Sequence, residues 1–158
     1  TLTYSQRDAF QPAVPTFSNL GPKWTSNWIS YVTDSPAQAG ASVSRYIQGG
    51  GSYSYVGFNT STGAFTPETR DRAVLVRVSG SPIRYELRYK DGSKDVYGHS
   101  DGATAFPRRV FLSQVIDRAG NAVTLNYDAQ RRLTSLTDAV GRQTTFSYDL
   151  PAAPLLLT

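Results

Sequence analysis

Apolar and polar residues alternate in short runs along this chain, and turn-forming residues end each run before it reaches helical length. No segment keeps apolar residues at i, i+3, i+4 and i+7 for three turns, because Ser, Thr, Gly and Tyr fill the intervals. The alternation predicts strands over Leu2–Ser5, Trp28–Thr33, Val43–Ile47, Tyr53–Phe58, Val74–Val78, Ile83–Tyr89, Phe111–Ile116, Val123–Tyr127, Leu133–Thr137 and Thr144–Tyr148. Gly49-Gly50-Gly51 and the stretch 59–63 read as loops, as do 33–41 and 100–107. Lys90-Asp91-Gly92-Ser93 reads as a hairpin, since Asp-Gly accepts the left-handed dihedrals of tight β-turns. The expected fold is all-β: an antiparallel ribbon or meander of hairpins.

A repeat organises the last third. Asp117, Gly120, Tyr127 and Asp128 recur as Asp138, Gly141, Tyr148 and Asp149, each 21 residues on. Leu112 and Thr124 also return as Leu133 and Thr145, while Ser113/Thr134, Val115/Leu136 and Leu125/Phe146 keep their chemical character. Such a period marks stacked structural units. Within one unit, Asp at the first turn position can accept backbone N–H bonds, and Gly at the fourth tolerates positive φ. The following strand then sets Val123, Leu125 and Tyr127 on one face, and Thr144, Phe146 and Tyr148 on the matching face of the next copy. A lone hairpin cannot bury that face, so each unit must lean on its neighbour. The organisation expected is an all-β segment over 1–107, two repeats over 108–150, and a linker or the start of another repeat over 151–158.

Composition sharpens this picture in three places. Ten Tyr, seven Phe and two Trp suit pleated, half-exposed surfaces, and 13 Gly with nine Pro supply turns. The chain has no Cys, so it offers no thiol ligand or disulfide, and it has no Met even at position 1, which suggests a piece of a longer polypeptide. The net charge of +4 is scattered, with Arg108-Arg109 and Arg131-Arg132 the only basic pairs; nucleic-acid binding would need a basic stripe and is not expected. Leu155-Leu156-Leu157 is far too short to span a membrane.

Candidate chemistry is sparse. His99 is the only histidine, and without a second His or a Cys it makes a poor metal site; a surface-loop histidine is the default. No Gly-x-Ser-x-Gly presents a nucleophile, and Gly49-Gly50-Gly51-Ser52 lacks the Lys of a phosphate-binding loop. No catalytic, cofactor or metal site is therefore expected. The aspartates fall one per turn, too sparse for a calcium loop, with Arg118, Arg132 and Arg142 near enough to neutralise them. Tyr127-Asp128 and Tyr148-Asp149 have the composition of a sugar-binding pair, but recurrence at every turn favours a structural role: Tyr packing between ribbons, Asp capping the turn. Trp24 and Trp28 form a candidate aromatic ligand platform, weighed against a loop-to-strand anchor beside Gly21-Pro22.

Asp117-Arg118-Ala119-Gly120-Asn121, Thr124 through Asp128, Arg132 through Asp138, and then Gly141-Arg142 with Phe146 through Asp149 resemble the YD-repeat, or rearrangement-hotspot (Rhs), family. The likeness is weaker upstream, at Leu20 through Trp24 and at Tyr89 through Ser93. The resemblance implies a ribbon that spirals into a hollow β-shell, enclosing a toxic domain in bacterial members and serving adhesion in animal ones. Two departures stand out. Arg131 occupies a turn position where the family usually has Gly, and must adopt positive φ at about 1 kcal/mol if the turn keeps its shape. Leu150 through Pro154 replaces a tight turn, so the ribbon bends there or stops. The function expected is a non-catalytic scaffold, secreted or at the cell surface (bacterial envelope or extracellular), that encapsulates or presents another domain such as a toxin. The alternative is a carbohydrate- or receptor-binding adhesion module. Expected partners are the rest of the same repeat protein, or another chain, through unpaired edge strands.

Overall fold

A computed structural model describes residues 1–5, 16–46, 51–80 and 82–158. Ile47, Gly49 and Gly50, read above as a strand end and part of a loop, lie outside the described residues. The strands are β1 (Leu2–Tyr4), β2 (Trp24–Ser26), β3 (Tyr31–Asp34), β4 (Val43–Tyr46), β5 (Ser52–Tyr55), β6 (Val74–Val78), β7 (Arg84–Arg88), β8 (Lys94–Ser100), β9 (Arg108–Ile116), β10 (Ala122–Tyr127), β11 (Leu133–Thr137) and β12 (Gln143–Thr145). No helix occurs among the described residues, so the chain is all-β. All strand pairs are antiparallel.

Three expectations need correction. The strand β8 falls where a hairpin's far arm was left unassigned, and it carries His99 out of the loop expected for it. Trp28 stands in a turn before β3 rather than opening it, and Phe58 and Tyr148 lie past the ends of their strands. The short strand β2, unexpected, pairs with β1 in a two-stranded sheet of its own.

From β6 to β12 the chain is one meander, each strand bonded to the next. The long strand β9 is where the sheet forks. Along one side residues 110–116 pair with β8. Along the other, residues 108–111 pair with β3 and residues 114–116 pair with β10. From β3 the sheet continues through β4 to β5.

That branch then closes on the meander. The Thr66 amide donates to the Val56 carbonyl just past β5, while Phe65 donates to Leu75 and Arg77 to Gly63, so the segment between β5 and β6 is bonded to both. An isolated bridge, Ala64 to Val76, marks the same junction. The path β9–β3–β4–β5–β6–β7–β8 therefore returns to β9 as a ring. Side-chain reach confirms the curl. On a flat sheet β3 and β7 would stand three spacings, about 14 Å, apart, yet the Tyr85 hydroxyl on β7 donates to Asp34 on β3 at 2.7 Å.

The ring's interior is the main core: Val32, Val43, Tyr55, Phe65, Leu75, Tyr85, Leu87, Tyr97, Val110 and Leu112 pack in one cluster, which extends under the repeats through Leu125, Leu133 and Leu136. Asp34, 1% exposed, survives inside because Arg108 and Tyr85 both bond its carboxylate. Such a charge is tolerable only when paired.

Candidate functional site

The repeat turns share one geometry. At Asp117 the backbone N–H donates to the Asn121 carbonyl, and the Gly120 N–H donates back to Asp117; Asp128 with Arg131 and Arg132, and Asp138 with Gly141 and Arg142, reproduce both bonds. In each, the leading Asp Oδ1 accepts two further backbone N–H groups, from the residues two and four positions on. The fourth residue is left-handed every time: Gly120 at φ 91°, Arg131 at 64°, Gly141 at 85°. These are three-residue hairpin loops closed by a left-handed bulge residue. The Asp117, Asp128 and Asp138 carboxylates thus cap their turns, and Arg131 adopts the positive φ that the family resemblance implied for it.

Neutralisation follows a different rule from the one expected at the first turn. Arg132 and Arg142 pair with Asp128 and Asp138 at 2.7 Å, whereas Asp117 takes the Asn121 side-chain amide at 2.8 Å instead of Arg118. The Asn121 side chain and backbone hold the Asp117 carboxyl below its usual pKa. Burial pulls Asp128 upward, but bonds from the Arg132 backbone and guanidinium outweigh it and leave that carboxyl lowered. Asp149 caps no such turn; its backbone N–H and carboxylate both bond the Thr158 hydroxyl, and the chain bends back so that Leu157 bonds Asn19. The second unit thus bends at Leu150 through Pro154.

The tyrosines do something the sequence only half disclosed. The Tyr127 hydroxyl donates to the Leu112 carbonyl at 2.8 Å, and the Tyr148 hydroxyl donates to the Leu133 carbonyl at 2.9 Å. Leu112 and Leu133 are themselves repeat equivalents. Leu112 sits at the fork, between the β9 residues paired with β3 and those paired with β10, so its carbonyl has lost its ladder partner. Its amide is tied to Ser30, as the Leu133 amide is tied to Ser18. Each tyrosine thereby patches the backbone of the preceding unit where strand pairing runs out, as buried carbonyls demand. Both rings are half-buried.

His99 stacks flat on Tyr127, with centroids 4.5 Å apart and planes 8° apart. Its Nε2 is buried and without a hydrogen-bond partner. Burial pushes the imidazole below its usual pKa, and the Arg131 charge adds to that, against Asp128. Arg131 thus serves two places at once, a strained turn and the electrostatics of the joint between ring and repeats.

The two tryptophans part company. Trp24, 43% exposed, lies against Tyr4 at 5.2 Å on the small sheet, while Trp28 packs on the core. Trp28 also borders two cavities, each of about 420 Å³. One is almost wholly apolar and lies between the small sheet and the repeats, walled by Leu2, Leu20, Trp28, Leu133, Leu136 and Phe146. The other lies at the end of the ring where β9 leaves β3 for β10, and is lined by Asn27, Trp28, Ser30, Arg45, Asp95 and Leu112 among others. Sequence reasoning missed Arg45 and Asp95; neither lies in a motif, and only ring closure brings them to one space. Among the described residues no group of three or more His, Asp or Glu is arranged to hold a metal.

The RHS Repeat family model matches residues 112–143, from the Leu112 fork to the first residue of β12. No curated protein matches the chain.

Proposed function

We propose, from the premise that the chain carries RHS repeats, that it forms part of the wall of a repeat-built β-shell, one that encloses or presents another domain such as a toxin. The observation that carries this reading is the tyrosine bond. Tyr127 and Tyr148 each bond a carbonyl 15 residues upstream, so each unit completes the unit before it and leaves an equivalent arrangement to be completed in turn. A strand ribbon with that rule grows by addition, which is what a wall requires and what a self-contained binding module does not. The far edge of β12 pairs with no strand among the described residues, and it is the natural place for further repeats or another chain to join.

In this role the chain works without catalysis, outside the cell or at its surface. Limited proteolysis of the natural polypeptide tests it. The enclosed domain should resist protease in the wild type and become cleavable when Tyr127 and Tyr148 are both changed to Ala. Equal cleavage of that domain in both proteins would remove the shell reading.

A further inference from the structure

The stack of His99 on Tyr127 ties the ring to the repeats through a group that titrates near neutrality. We propose that His99 is an acid-sensitive latch on this joint: the neutral imidazole holds Tyr127 against the ring, and its protonation frees Tyr127 and loosens the repeat ribbon from β9. The latch belongs to the fold of this chain, whatever the ribbon encloses.

One contact couples the two parts. His99 lies on β8, a ring strand, and Tyr127 ends β10, the first strand beyond the fork. Their rings are nearly parallel at 4.5 Å, and Phe111 of β9 lies near both, at 6.4 and 6.0 Å between centroids. The same tyrosine donates its hydroxyl to the Leu112 carbonyl. Moving its ring off His99 surrenders that bond where strand pairing runs out, so the stack and the attachment of the repeats stand or fall together.

The site accepts a neutral imidazole and rejects a charged one. The Nε2 atom is buried and meets no hydrogen-bond partner. In the neutral ring that nitrogen need carry no proton, whereas an imidazolium has an N–H on both nitrogens. A charged donor buried without an acceptor is far costlier than a neutral atom left bare. Two charges act on His99, both from the turn after Tyr127: the Arg131 guanidinium and the Asp128 carboxylate. Arg131 repels an imidazolium. Asp128 would attract one, but Arg132 holds its Oδ2 at 2.7 Å, and the Gln130 and Arg132 amides hold its Oδ1. Turning that carboxylate toward His99 would dismantle the turn. Tyr127 stays neutral, since burial pushes its hydroxyl well above the usual pKa. A cation gains from lying on a tyrosine face, yet burial and Arg131 act the other way and hold the imidazole below its usual pKa. Opening the joint restores an ordinary imidazole. Opening is therefore unaffected above about pH 6.5 and is promoted as pH falls from there through the lower value of the closed joint.

Amide hydrogen exchange on the whole chain, corrected for the intrinsic pH dependence of exchange, tests this between about pH 7.5 and pH 5. Protection of the β10 and β11 amides should fall about fivefold more than that of the ring strands β6 and β7. His99→Gln and His99→Phe, neither of which titrates, should abolish the difference. The Phe variant keeps an aromatic stack and decides the matter if Gln loosens the joint at every pH. The proposal is overturned if the repeats of the wild type lose no more protection than the ring, or if their extra loss persists in both variants. An equal loss in all strands would also overturn it, by assigning His99 to global stability alone.

Discussion

Replacing Tyr127 by Phe isolates the bond on which the repeat rests. The ring stays, so its stacking on His99 at 4.5 Å is kept, and only the hydroxyl that donates to the Leu112 carbonyl is lost. Leu112 is 2% exposed, so water cannot readily replace the donor. An ordinary hydrogen bond contributes about 1 kcal/mol net, but a buried acceptor left without a partner costs about 1–3 kcal/mol. The expected loss is therefore about 1–3 kcal/mol. For a chain of this size that lowers the melting temperature by roughly 2–4 °C per kcal/mol. Urea unfolding should show a lower midpoint with an unchanged slope, because the surface exposed on unfolding is the same. Tyr148→Phe should show the same effect in smaller measure, its neighbourhood being wetter. Tyr4→Phe, at a residue 51% exposed, provides the control and should stay within about 0.5 kcal/mol of wild type. If Tyr127→Phe were no more destabilising than Tyr4→Phe, the tyrosine would not be patching the fork, and the account of how units add to one another would fail with it.

Three further outcomes follow from the same geometry. Arg131→Gly relieves a left-handed residue at φ 64° and should stabilise by up to about 1 kcal/mol in urea unfolding, less the extra freedom glycine gains in the unfolded chain. Asp34→Ala leaves Arg108 buried beside the Tyr85 hydroxyl without its carboxylate and should cost about 3–5 kcal/mol, read as a large drop in urea midpoint. His99 is held below its usual pKa in the fold, so the unfolded chain takes up its proton first. Its contribution is complete above about pH 6.5 and is lost as pH falls from there through the folded value. Wild type should lose stability relative to His99→Gln between pH 7.5 and 5.5, and parallel pH profiles for the two proteins would refute the placement of a neutral imidazole there.

Much of the fold was legible because strand alternation and turn chemistry are local. Val74–Val78 and Leu133–Thr137 were read with their observed limits, since each is an unbroken run between turn residues. β8 was not, because Lys94 and Asp95 open it with charges and its register slips twice against β9, which breaks the alternation. Turn geometry at Arg131 was foreseeable only through the family resemblance, since residues 128–132 contain no Gly to mark it. The ring was not. It depends on Thr66 meeting Val56 and Gly63 meeting Arg77 through backbone groups, which carry no sequence signal. For the same reason the Asp34–Arg108 pair, 74 residues apart, and the shared cavity of Arg45 and Asp95 became visible only once the sheet had curled.

The length of the repeat has a physical cause beyond its period. Adding one antiparallel strand to a ribbon reverses chain direction, so the next unit could not present its tyrosine to the same side. Two strands restore both direction and face, and two strands with two three-residue loops occupy the 21 residues observed. The turn at Asp128 has the same bonds as those at Asp117 and Asp138, which makes the true structural step half the sequence period; only the tyrosine, needed once per pair of strands, keeps the longer one. The ring gives such a ribbon a fixed origin. Among the described residues its strands β3 to β9 close on themselves, and in the proposed shell the ribbon extends from β9 toward β12. That last strand, Gln143–Thr145, is short, polar and exposed along its whole length. A short polar edge discourages chance pairing with other chains, and in the proposed shell it is where the next repeat joins.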